Sequence, residues 1–216
     1  MTNLQRVSGT PRWSPDGKRI VFDSRPEDHS EIYVIDSEGG TPERLTHEKS
    51  DNRVPSWSRD GRWIYFSSNR SGSYQVWKMP SEGGKATQVT QRGGYYAMET
   101  FDRKIVCYQK PGQHTYDVGP LWKVPIEGGE ETPVLKREVF FGSWALRPEG
   151  LYFSTWTDRK YAIEFLSFQT GKVTALYQEQ TPNERFCLAI SPDGQWFLYS
   201  DSPPAESDLM LVENFR

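Results

Sequence analysis

Cysteine is scarce in this chain of 216 residues: only Cys107 and Cys187 occur, each inside an apolar, strand-like run. A disulfide framework or a thiolate metal site needs more cysteines at closer spacing, so neither is supported, and the two side chains read as small buried hydrophobes. Histidine is equally sparse, with His29, His47 and His114 in no H-x-H or H-x-x-x-H arrangement, so no local spacing supports a metal cluster. Excess charge is lacking too. Lys plus Arg number 26 against 29 Asp plus Glu, a net charge of −3, so nothing global draws the chain to nucleic acid or an anionic membrane. No apolar run approaches the roughly 18 residues of a membrane span. The opening MTNLQRVSGT lacks the basic-then-apolar order of a signal peptide. Alanine is rare while aromatics reach 14%, a balance that suits strands and turns and leaves too much to bury for a disordered chain.

What the chain does have is an internal repeat. WSPDGKRIVFDS (13–24) recurs as WSRDGRWIYFSS (57–68), and a last copy is ISPDGQWFLYSD (190–201). EIYVIDSEGG (31–40) recurs as QVWKMPSEGG (75–84) and LWKVPIEGG (121–129), and degenerate copies stand at 99–108 and 146–154. The fourth turn position falls at 17, 61, 103, 150 and 194, so five units with a period near 44 residues fill the chain.

Each unit reads as four short strands, a to d. Ser-Pro-Asp-Gly makes the a–b turn, with Pro fixing φ, Asp bonding back to the backbone and Gly taking the left-handed conformation. Strand b is an unbroken apolar run, such as Ile64-Tyr65-Phe66, which implies a sheet covered on both faces. Glu-Gly-Gly closes the c–d hairpin. Four-stranded units of this length stacked face to face are blades of a β-propeller. The spacing predicts an all-β, five-bladed propeller of four-stranded antiparallel blades forming one domain over 1–216, with blades at 9–46, 53–90, 96–136, 143–177 and 186–213. The last unit lacks strand d, while residues 3–8 resemble one. The N-terminal strand is therefore expected to complete the last blade and close the ring. In blade three Arg103 stands where Gly17, Gly61 and Gly194 stand elsewhere, which predicts a non-glycine residue forced into the left-handed region there.

The pattern P-x-W-S-x-D-G-[KR]-x-[IV]-x-F followed by I-Y-x-[IM]-x-x-x-G-G resembles the WD-like (PD40) propeller repeat of TolB-type proteins, over essentially the whole chain. The ending SDLMLVENFR is more particularly similar to the C-terminal propeller region of bacterial membrane-anchored winged-helix regulators. This resemblance implies a sensory or protein-binding module without catalytic residues, in a bacterial extracytoplasmic setting, with the cytoplasm left open. It departs from those regulators in having no winged helix, no membrane segment and no further blades.

The short a–b and c–d turns are uniform. The b–c and d–a connections are long and irregular, and irregular loops on a rigid scaffold are where binding concentrates. All three histidines lie there, as do Tyr74, Tyr95, Tyr96, Phe140, Phe141, Trp156, Arg53 and Arg185. Summed, these loops carry no net charge, which disfavours nucleic acid. Tyr, Trp and Arg favour interface centres, so these eight residues are the candidate site for a protein or peptide partner of a monomeric chain. The same rings would also serve as plugs between blades, and the sequence leaves both readings open. Gly93-Gly94 is expected to give Tyr95 and Tyr96 a mobile backbone. No G-x-S-x-G, P-loop or G-x-G-x-x-G occurs, and single Asp-Gly turns fall short of a Ca²⁺ site, so no enzyme activity and no cofactor are expected. Asn69-Arg70-Ser71 matches a glycosylation tripeptide, a pattern common by chance. The alternatives to a binding module are an accessory propeller of a prolyl-oligopeptidase-type peptidase, or a purely structural scaffold.

Overall fold

The structure is a computed structural model and describes residues 7–26, 28–111, 118–157, 160–180, 186–191, 193–201 and 208–213. All of its regular elements are strands. The first sheet runs β1 (Ser8–Trp13), β2 (Arg19–Ser24), β3 (Glu31–Asp36), β4 (Glu43–Arg44), and the second β5 (Asn52–Trp57), β6 (Trp63–Ser68), β7 (Gln75–Pro80), β8 (Thr87–Gln88), each ordered as in the chain. The third holds β9 (Tyr95–Glu99), β10 (Ile105–Gln109), β11 (Val118–Pro125) and β12 (Thr132–Phe140). The fourth is β13 (Trp144–Arg147), β14 (Gly150–Thr157), β15 (Lys160–Ser167) and β16 (Val173–Gln180). The fifth has three strands among the described residues, β17 (Phe186–Ile190), β18 (Trp196–Asp201) and β19 (Asp208–Glu213).

The four-stranded antiparallel repeat read from the sequence is thus present. The expected strand over 3–8 falls mostly on residues 3–6, outside those described; Ser8 opens β1 and pairs with Ser24, and the Arg25 N–H donates to Val7 O (3.0 Å) just ahead of it. The chain divides into two compact units, Met1–Lys110 with Trp122–Val134, and Pro111–Leu121 with Leu135–Arg216.

The apolar b strands behave as their continuity requires. In the first unit Ile64 and Phe66 face Val21, Ile32, Val34 and Leu45 of the first sheet, whereas Tyr65 between them faces Ala97, Val106 and Tyr108 of the third. All three are fully buried, so both faces of β6 are covered. In the second unit Tyr161 and Ile163 of β15 pack with Leu188, Phe197 and Tyr199 of the fifth sheet. No helix among the described residues is long and apolar enough to cross a membrane.

One hydrogen-bond pattern builds four of the a–b turns. Asp16 Oδ1 accepts from the Ser14 hydroxyl (2.6 Å) and the Lys18 N–H (3.1 Å), while Ser14 Oγ accepts from the Arg19 N–H (2.9 Å). Ser58 with Asp60, Thr100 with Asp102 and Ser191 with Asp193 repeat it. Desolvation of Asp60 opposes its charge, yet the bonds from Ser58 and from the Arg62 N–H and guanidinium outweigh it and hold the carboxyl down at about 2. These aspartates are turn residues, as read from the sequence.

The left-handed position is also where the repeat places it. Gly17, Gly61 and Gly194 have φ of 71°, 71° and 70°, and Arg103 has 56°. Arg103→Gly is therefore expected to raise stability by roughly 1 kcal/mol, whereas Gly61→Val should lower it by more than that. Urea unfolding midpoints check both, and equal midpoints would break the alignment. The fourth unit departs from the pattern. Gly150 aligns with these positions, but Arg147 pairs directly with Gly150 in a tighter hairpin, and Gly150 is not among the positive-φ residues. Its lack of a side chain serves space instead: a Cβ there would lie 2.2 Å from Leu166 O and 2.4 Å from the Phe165 ring.

A feature the sequence does not announce recurs in the a strands. Register shifts interrupt β1 between Gly9 and Arg12 and β5 between Arg53 and Ser56, and β9 is interrupted likewise in its pairing with β10. Inside them Thr10, Val54 and Tyr96 take φ of 45°, 53° and 51°. A left-handed β-branched residue is strained, and a bulge of this kind bends the strand and re-aims the side chains beside it.

Candidate functional site

Antiparallel pairing puts Ser24 opposite Ser8 and Glu31, and Ser68 opposite Asn52 and Gln75, so the b–c and d–a connections of the first unit emerge at one end. There Arg53 stands just ahead of the bulged Val54, and Tyr95 just ahead of Tyr96. Arg53 bonds to Asp51, which centres the group. Its carboxylate accepts from the Ser30 N–H (3.0 Å), from Arg53 Nη2 (3.0 Å) and from Arg25 Nη2 (3.4 Å). Burial of Asp51 works against its charge, but those donors prevail and hold its pKa below the usual carboxylate range. Tyr74 lies against the same group: burial, with Asp51 beside it, pushes its phenol up in spite of Arg53. The Tyr95 ring sits on that of Tyr74 with centroids 4.6 Å apart at 37°.

Three of the eight residues singled out from the sequence, Arg53, Tyr74 and Tyr95, therefore meet in one cluster, joined by Arg25 and Asp51. Tyr96 turns away to β1, where the Arg12 guanidinium donates to its hydroxyl and lies 5.2 Å from its ring centre. The other residues stand elsewhere. Phe140 ends β12, which runs past the expected blade boundary at 136, and it is 2% exposed in the core of the second unit with Tyr161 and Tyr199. Phe141 is half-buried, and Trp156 packs half-buried against that core. Arg185 lies outside the described residues, as does His114. His29 Nε2 is 2.9 Å from the buried Glu31, and His47 is exposed. Among the described residues no group of three His, Cys, Asp or Glu side chains is placed to hold a metal ion.

The expected mobility of Gly93-Gly94 gives way to anchoring. The Gly93 N–H donates to Gln75 Oε1 (2.9 Å) and the Gly94 N–H to Tyr74 O (3.1 Å). A Cβ on Gly94 would meet Val76 at 2.8 Å and Tyr108 at 3.1 Å. The glycines bring the backbone close against the second sheet and fix Tyr95 over Tyr74.

Repeated four-stranded antiparallel sheets, with bulged a strands and irregular loops gathered at one end in the first unit, define a protein of the β-propeller class. The comparisons agree on the fold. TolB from Acinetobacter baumannii is similar with a TM-score of 0.79 at 20% identity, over 97% of this chain and 52% of that one. A putative TolB from Agrobacterium tumefaciens gives 0.76 at 18% identity, over 96% and 77% respectively. The TolB beta propeller domain family (PD40) matches residues 1–121, more than half of the chain, and the chain belongs to that family. A stretch of 46 residues, 21% of this chain, is 41% identical to the "Uncharacterized peptidase YuxL" of Bacillus subtilis (strain 168) and covers 7% of that protein. The chain thus spans about half of the first TolB and a small part of the peptidase. None of these matches bears out the winged-helix likeness of residues 207–216.

Proposed function

We propose that the chain is a non-catalytic propeller module that holds a protein or peptide partner at its irregular-loop end. The observation that supports this is the cluster of Arg25, Asp51, Arg53, Tyr74 and Tyr95. Two aromatic rings and two guanidiniums, locked by a shared carboxylate and a pinned glycine pair, form the preorganised surface that protein interfaces favour. In the same reading the five sheets are five blades of one ring.

The test compares Tyr74→Ala/Tyr95→Ala with Glu38→Ala/Glu82→Ala at the tight-turn end, each passed against a degenerate heptapeptide library and melted. The tyrosine pair should lose roughly 30-fold in affinity, about 2 kcal/mol, for peptides that the wild type retains. The glutamate pair should bind as the wild type does. Binding lost only in the glutamate pair would move the site to the tight turns, and a collapse of melting in the tyrosine pair would make those rings plugs between sheets.

A second reading has one observation in its favour, the short match to a peptidase. Under it the chain is the accessory propeller of a longer hydrolase, and the same cluster meets that enzyme's peptide substrates.

A further inference from the structure

We infer that Arg25 and Arg53 anchor a carboxylate of the bound peptide, and that the Tyr74–Tyr95 pair takes the apolar side chain beside it. The inference rests on the binding role proposed above and adds the chemistry of what is bound.

A guanidinium carries five N–H donors in a planar fork that matches a carboxylate two bonds at a time. Arg25 and Arg53 each give one hydrogen bond to Asp51. Arg53 Nε is buried and has no acceptor among the described residues. The two side chains remain 43% and 38% exposed, so Asp51 positions both forks while leaving part of each toward solvent. All three bonds to Asp51, from the Ser30 N–H and the two guanidiniums, end on Oδ1, so a single oxygen positions both forks. The other carboxylate nearby, Asp23, accepts from the Thr10 hydroxyl and from the Val54 N–H at 3.3 Å. That second bond comes from the strained bulge residue, so the kink that costs backbone energy also binds Asp23 Oδ1.

Arg53 Nε is the buried donor of this site that lacks an acceptor among the described residues, and an incoming carboxylate supplies one. Asp23 and Asp51 balance Arg25 and Arg53 in formal charge, so selection comes from the geometry of the fork rather than from long-range attraction. A neutral amide offers one acceptor atom, whereas a carboxylate offers two in the plane of a guanidinium and makes bonds about twice as strong. The Tyr74–Tyr95 pair adjoins this edge and offers ring surface to the neighbouring side chain. A C-terminal carboxylate and an Asp or Glu side chain present the same group.

The experiment uses two degenerate heptapeptide libraries, one with free C-termini and one amidated, passed over the immobilised full chain, with retained peptides sequenced. A preference of tenfold or more for the free-acid library assigns the C-terminus. Asp or Glu enriched beside aromatic or aliphatic residues in both libraries assigns the side chain. Methyl esterification of a retained peptide should then weaken its binding to the wild-type chain at least tenfold, a readout that does not depend on any variant folding. Arg25→Gln/Arg53→Gln, checked by melting, should lose the same preference. Retained peptides with no carboxylate preference, or esterified peptides that bind as the acids do, would overturn the inference and leave the binding role standing. Retention of no peptide from either library would overturn both.

Discussion

Glu31→Ala is expected to destabilise the first unit by about 3–5 kcal/mol, the loss that follows when one partner of a buried ion pair is removed. Glu31 opens β3 with its side chain fully buried. It accepts from Arg44 Nη2 (2.6 Å), from Asn52 Nδ2 (3.0 Å) and from the Thr46 hydroxyl, and His29 Nε2 stands at 2.9 Å. Alanine would strand all of these around an empty site. The second sheet shows how the position works without charge. Gln75 accepts from the Thr90 hydroxyl (2.9 Å), and Gln88 Nε2 donates to Thr90 O at 2.7 Å, as Arg44 Nε donates to Thr46 O at 2.7 Å. The double variant Glu31→Gln/Arg44→Gln transplants that neutral pair and should recover most of the loss, with Glu31→Gln alone in between. Urea unfolding of the four proteins gives the coupling directly. An alanine variant within 1 kcal/mol of wild type, or a double variant no better than the alanine, would show that Glu31 is not what holds the group together.

Gly150→Ala should be the most damaging change in the second unit, at about 3 kcal/mol, the upper end of what overpacking costs. Gly150 pairs with Ser167 across β14 and β15, and the obstruction at 2.2 Å is the backbone oxygen of Leu166, which no rotamer change can move. Relief would require β15 to shift, and β15 carries the core residues Tyr161 and Ile163. Gly171→Ala is the control: its φ is 66° with nothing within 4 Å of a built Cβ, so it should lose only the roughly 1 kcal/mol of left-handed strain. Similar melting losses for the two would mean that space at Gly150 is not limiting.

The repeat was legible because each unit obeys local rules that leave marks on residue types. Ser-x-Asp-Gly needs a turn, an unbroken Ile-Tyr-Phe needs two covered faces, and even the misfit at Arg103 shows the conformation that its position demands. The bulges were not legible, since Thr10, Val54 and Tyr96 are residues that alone argue for plain strand; tertiary bonding, such as the Val54 N–H on Asp23, overrides the local preference. The end of the sheets that gathers Arg53, Tyr74 and Tyr95 followed from strand direction alone. The role of Asp51 did not, because a lone aspartate in a loop gives no sign of which guanidiniums will reach it. Phe140 read as a loop residue because β12 is longer than its counterparts β4 and β8, and that extension carries it into the core.

That difference in length reaches beyond packing. An outermost strand offers unpaired backbone to any other extended chain, and brevity is one way proteins blunt the offer. The first two sheets end in strands of two residues each, too short to template a neighbour; β12 runs for nine but buries Leu135, Val139 and Phe140, whereas β16 runs for eight with none of them buried. If copies of this protein associate through their margins during expression or on heating, the seam forms along Val173–Gln180. Lysine or proline placed on the outward side of that strand is the change that would keep the chains apart.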